Sequence, residues 1–158
     1  MRCWYEHKPE WERADTPGLI TLAEDFTFYI QHEKKTTEYC VPSLIYSYDG
    51  ASIPRIFWNI VGSPFDPKNL EAASVHDPFY LVHAVPRWMA DEAAFQLWLP
   101  LTGLAGARVR WSAVRTGGYF SWKNSAADRS EIAKIRAILE KRPDRAKFNS
   151  LWFAPSCD

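Results

Sequence analysis

Hydrophobic and polar positions along this chain follow two different rhythms. Residues 19–30 (LITLAEDFTFYI) and 38–48 (EYCVPSLIYSY) are rich in β-branched and aromatic side chains with partial alternation, which predicts two strands. The polar stretch 31–37 is the expected turn between them. Pro42 inside the second run predicts an edge strand or two shorter pieces, and Asp49-Gly50-Ala51-Ser52-Ile53-Pro54 ends the strand region with a turn. In the next loop Asp66 is the expected N-cap of a helix, with Pro67 at its first position. From Lys68 the spacing becomes helical: Leu70, Ala73, Phe79 or Tyr80, and Leu81 or Val82 line one face, with Pro78 as an interruption. A second helix is predicted over 88–99, closed by Pro100, and a third over 105–116, stopped by Gly117-Gly118. A fourth covers 128–142, where Ile132, Ile135, Ile138 and Leu139 form a stripe on a charged helix ended by Pro143. Strands first and helices after is an α+β arrangement. The expectation is an N-terminal β-hairpin or small antiparallel sheet followed by three to four helices. A single domain spans 1–158, with its core at 19–122 and an amphipathic helix and tail at 123–158.

Composition narrows the class. At 158 residues and 47% hydrophobic content the chain can bury a core without staples, which excludes disorder as a description of the whole. Nineteen basic and nineteen acidic residues cancel, so charge gives no reason to expect nucleic acid as a partner. Cys3, Cys40 and Cys157 are odd in number and far apart, which argues against a disulfide scaffold and for a reducing compartment. The N-terminus shows no signal-peptide pattern, and no stretch approaches the ~20 apolar residues of a membrane span. The expectation is a soluble protein. Trp58, Trp88, Trp98, Trp111 and Trp122 belong to the core or to a partner surface, and a contact surface rich in Trp58, Trp98 and Trp152 would favour assembly with other subunits.

The chemistry concentrates in His76-Asp77, Tyr80 and Asp91. Adjacent helical residues point about 100° apart, so His76 can take a proton from water while Asp77 holds a divalent cation. Tyr80, four residues on from His76, shares its side of the helix and can hydrogen-bond a carboxylate on a neighbouring helix; Asp91 is the candidate. A carboxylate that orients the imidazole would fix its tautomer. Asp77 with Asp49, Gly50 and the carbonyls of their turn would suit Ca²⁺, which takes several oxygens at ~2.3–2.6 Å. Ser52 and Arg55 complete the candidate set as binding residues. The bland readings stay open beside these: a histidine satisfied by packing, an Asp-Gly turn capped by Ser52, and Asp77 paired with Arg55 or Arg87. A transition metal on His76, His83 and Asp91 is a weaker option, requiring the helix to continue through Pro78. Arg108, Arg110 and Arg115, close to Trp111, read as salt-bridged or cation–π packed.

The motifs D-G-A-S-I-P-R (49–55), P-F-D-P (64–67), A-A-S-V-H-D-P-F-Y (72–80) and Ala90-Asp91 together resemble a family of small proteins of tailed phages and prophages, domain of unknown function 1353. The resemblance covers roughly residues 19–122. It implies a phage or prophage setting, in the host bacterial cytoplasm or in the virion. More distantly, the same order is similar to the compact bacterial type of secreted phospholipase A2, with its D-G-C-S turn, H-D-x-x-Y helix and D-x-A-F helix. That similarity implies a phospholipase A2-like helix pair in which His76 is the general base, Asp77 the main Ca²⁺ carboxylate, Asp49 and its neighbours the rest of the cation site, and Tyr80 with Asp91 the support of His76. The substrate would be a phospholipid or other carboxylic ester. The alternative from another class is a non-catalytic phage structural, tail or assembly protein, in which Asp49, Arg55, His76 and Asp91 are buried struts and the partners are virion or host proteins.

Overall fold

The computed structural model describes residues 1–15, 17, 19–45, 47–48, 62–63, 65–125 and 129–157. Strand-forming side chains build two small antiparallel sheets. In the first, β1 (Arg2–Tyr5) and β5 (Lys35–Val41) flank β4 (Phe26–His32). In the second, β2 (Trp11–Arg13) and β6 (Ser47–Tyr48) flank β3 (Ile20–Leu22). The predicted strand 19–30 is therefore two strands in different sheets. The reason lies at Asp25, whose carboxylate accepts from the Ser43 amide (2.8 Å) and hydroxyl (3.0 Å) and turns the chain between them. The turn expected over 31–37 is tighter: His32 pairs with Lys35 around Glu33, at φ +55°, and Lys34. The second predicted strand also divides, β5 ending at Val41 just before Pro42, which lacks the amide a ladder needs.

Helix α1 (Pro67–Val82) begins as expected, with Asp66 accepting from the Lys68 amide at 3.0 Å and Pro67 in the first turn. It does not break at Pro78, contrary to expectation. Loss of one backbone bond is a local penalty of ~3 kcal/mol. The faces around it are packed: Val75 and Phe79 are fully buried, and Phe79 meets Phe28 and Tyr39 edge-on at 5.5 and 4.9 Å. His83, at φ +55°, ends the helix, its amide donating to the Phe79 carbonyl.

The second and third predicted helices are both present, meeting end to end across a kink as the two limbs of α2 (Arg87–Ser125). Neither Pro100 nor Gly117-Gly118 stops it. The break comes at Gly103, whose φ +69° and ψ 172° are non-helical and essentially confined to glycine. α3 (Arg129–Leu139) is shorter than the predicted 128–142. The tail folds inward as a 3₁₀ turn (Arg145–Phe148) and α4 (Asn149–Trp152). Phe148, Leu151 and Trp152 are fully buried, and the Trp152 indole donates to the Cys40 carbonyl at 3.1 Å. Trp98 is buried too. Neither Trp98 nor Trp152 is on a partner surface: both finish the core. Trp58 lies outside the described residues. No helix among the described residues is long and apolar enough to cross a membrane.

At Gly103 an added Cβ would meet open space, so a side chain there is opposed only by backbone strain. Gly103→Ala should destabilise the protein by about 1–3 kcal/mol, read as a lower urea midpoint with an unchanged slope.

Candidate functional site

α1 and the two limbs of α2 converge on one carboxylate. His76, Asp77 and Tyr80 come from α1, Arg87 and Asp91 from the first limb of α2, and Val114, Arg115 and Gly118 from the second. Asp91 has no solvent exposure. Its Oδ1 accepts from the Tyr80 hydroxyl at 2.6 Å and lies 3.1 Å from His76 Nε2. Its Oδ2 accepts from Arg115 Nη1 at 2.8 Å, with Arg87 Nε at 3.7 Å. Arg87 Nε also donates to the Tyr80 oxygen at 3.0 Å, while its Nη2 reaches the carbonyls of Val114 (3.2 Å) and Arg115. The imidazole lies 4.0 Å from the Tyr80 ring, tilted by 33°.

This arrangement fixes the protons. Tyr80 accepts from Arg87, so its own proton goes to Asp91, and an ionised Asp91 can only accept. His76 Nε2 must therefore be the donor. Nδ1 lies 2.9 Å from Asp77 Oδ1, a second acceptor. Both ring nitrogens facing carboxylates make His76 an imidazolium. Burial by itself would lower its pKa, but hydrogen bonds to Asp77 and then Asp91 outweigh it and push the value up to about 9. At Asp91 burial acts to raise the pKa and is overcome, first by the hydrogen bond and charge of His76, so the carboxyl stays below its ordinary range. The Tyr80 phenol is raised, by burial first and then by its bond to Asp91.

Of the predicted site residues, His76, Tyr80 and Asp91 meet as anticipated, and Asp77 joins them through the imidazole rather than pointing away from it. Asp49, Gly50, Ser52 and Arg55 lie outside the described residues. Arg87 serves Tyr80 and Asp91, not Asp77. The His76–His83–Asp91 metal option fails: His83 stacks on Trp122 at 3.8 Å and 3°, and no group of three metal-type ligands occurs among the described residues. Three participants were missed, Arg87, Arg115 and Gly118. Arg87 stands four residues before Asp91, a spacing that announces an ion pair. Gly118 was read as a helix stop, yet it is helical; a Cβ there would sit 2.6 Å from the Tyr80 hydroxyl. No local signal marked that close approach, nor the reach of Arg115 to Asp91.

Comparison with known proteins adds a family without a job. The family described as "Protein of unknown function (DUF1353)" matches residues 20–114. An uncharacterized protein of Sinorhizobium fredii, y4jT, is 39% identical over 66 residues, 42% of this chain. The chain covers only 18% of that relative's length. No solved structure matches significantly.

A histidine with a raised folded-state pKa stabilises fully below its unfolded value of about 6.5, and that contribution is lost as pH climbs through the folded value. Unfolding free energy should therefore decline between about pH 6.5 and 9, and His76→Gln should flatten this part of the urea-denaturation pH profile. Gly118→Ala should cost about 1–3 kcal/mol by displacing the Tyr80 ring, measured in the same assay.

Proposed function

The chain belongs to the DUF1353 family, whose function is unknown, and on that premise we propose that it hydrolyses carboxylic esters, phospholipids among them, with His76 as general base toward water. One observation carries the reading: the relay Arg87–Tyr80–Asp91–His76 holds Nε2 as a donor on a buried carboxylate. That is the support a base needs if it is to take a proton at the other nitrogen. Asp77 occupies Nδ1 in the resting arrangement. As Asp77 turns aside, the Nδ1 proton it held leaves to solvent and water takes its place. The imidazole, now neutral with its Nε2 proton on Asp91, accepts the water proton at Nδ1, and Asp91 stabilises the imidazolium re-formed. The hydroxide equivalent attacks the ester carbonyl, and collapse of the tetrahedral adduct breaks the ester C–O bond as Nδ1 returns its proton to the leaving alcohol oxygen.

Calcium is part of the proposal. Asp77 offers a hard carboxylate oxygen of the kind such a cation takes, and Asp49 with Gly50 would complete the set, Ser52 and Arg55 binding substrate nearby. When bound, calcium supplies Lewis-acid polarisation of the ester carbonyl. The phage or prophage setting and the phospholipase A2-like character of the helix pair belong to this same reading.

A second reading has its own observation. His76 is only 5% exposed with both nitrogens on carboxylates, the arrangement of an ionic strut in a non-catalytic phage structural or assembly protein.

Turnover of a fluorogenic phospholipid with millimolar calcium separates the two. Under the hydrolase reading, His76→Asn should cut the rate by at least about 100-fold while the circular dichroism of the folded chain persists. Calcium should raise the melting temperature of the wild type but not of Asp77→Asn. No turnover of phospholipid or simple esters, together with a melting temperature indifferent to calcium, would leave the strut as the role of His76.

A further inference from the structure

The second limb of α2 uses only one flank to build the site. Ala107 and Val114 are buried, and Gly118 lies against Tyr80. The other flank is open and carries apolar groups: Phe120 is 71% exposed and Val109 41%, eleven residues apart and so in phase on the helix. Val109, Ala113, Gly117 and Phe120 line a shallow groove of about 500 Å³ there, with Arg108, Ser112 and Thr116 in its wall. An open apolar groove of this kind suits a partner less polar than water.

Charge says what. All nineteen acidic residues of the chain lie outside the stretch between Glu92 and Asp128, which instead holds Arg108, Arg110, Arg115 and Lys123. Arg110 donates to Asn69 at 2.9 Å and Arg115 to Asp91. Arg108 and Lys123 are exposed, and the Lys123 ammonium sits 5.9 Å from the Tyr119 ring. A helix flank of exposed aromatic and aliphatic side chains, bordered by cations and free of acids, has the character of an element lying in a bilayer interface.

We propose that this flank of α2 docks on an anionic lipid surface. Phe120 and Val109 enter the acyl boundary, and Arg108 and Lys123 meet lipid phosphates. The element lies on the membrane, since no described helix is long and apolar enough to span it. A second copy fits less well: two-fold pairing sets like patches together, and Arg108 and Lys123 would meet their own counterparts with no acid on that stretch to offset them. Docking does not require the hydrolase reading. It would set that chemistry beside the bilayer, because the Arg87 guanidinium, bonded to Tyr80, also lies 5.9 Å from the Tyr119 ring.

Co-sedimentation of the full chain with phosphatidylcholine vesicles, with and without phosphatidylglycerol, tests it. Vesicles containing phosphatidylglycerol should retain roughly tenfold or more protein than neutral ones, and added salt should erode the difference. Phe120→Ser with Val109→Ser should abolish retention. Arg108→Glu with Lys123→Glu should remove the preference for phosphatidylglycerol; these exposed positions keep the test alive if the apolar variants misfold. His76→Asn should bind like the wild type whether or not the protein has esterase activity. Equal, negligible retention on both vesicles would overturn the docking, as would retention unaffected by either pair of substitutions. A dimer in sedimentation velocity that Phe120→Ser dissolves, without vesicle binding, would give the flank to a second copy instead.

Discussion

A carboxylate with no access to water must be compensated or it will not stay charged, and Asp91 is such a carboxylate. An unpaired ion in the interior is penalised by several kcal/mol even after relaxation. Here four donors surround it: Tyr80 and His76 on one oxygen, Arg115 and more distantly Arg87 on the other. Removing any partner strands the rest, so α1 and both limbs of α2 are held in register by one group. Pairing also leaves His76 charged, which ties the resting state of the candidate site to the same interaction.

The backbone is shaped to make that meeting possible. Asp91 and Arg115 sit 24 residues apart on one helical element; in a straight helix they would be separated by ~36 Å. They touch at 2.8 Å because α2 changes direction at Gly103. The same change of direction lets Arg87 reach the Val114 and Arg115 carbonyls. Small residues then allow close packing: Ala72, Ala90, Ala93 and Ala94 are fully buried, and Gly118 leaves the space filled by the Tyr80 ring. Trp122 closes the far side, meeting Tyr80 edge-on at 5.0 Å while it stacks on His83.

Much of this was legible one residue at a time. Period-2 and period-3.6 patterns gave the α+β order, Asp66-Pro67 gave the start of α1, and the four-residue step from His76 to Tyr80 put both on one side of a helix. Prolines misled, because their penalty is local and tertiary packing exceeds it: Pro78 and Pro100 both lie inside helices. The tail misled as well. Phe148, Leu151 and Trp152 read as an appendage, yet Arg142 and Lys147 bind Asp25 at 2.7 and 2.5 Å and bring the tail onto the sheet.

The sequence by itself determined which residues are able to carry chemistry, the type of each main element, and the pairing of Tyr80 and His76 on one helix, since these depend on side-chain identity and on periods of a few residues. Only the tertiary structure decided that Asp77 turns to the imidazole, that Arg115 and Gly118 complete the site, and that one flank of α2 is left open. Those outcomes depend on where a single glycine redirects a long helix. A redirection of that kind is a global sum of packing and strain, and no local window of the chain contains it.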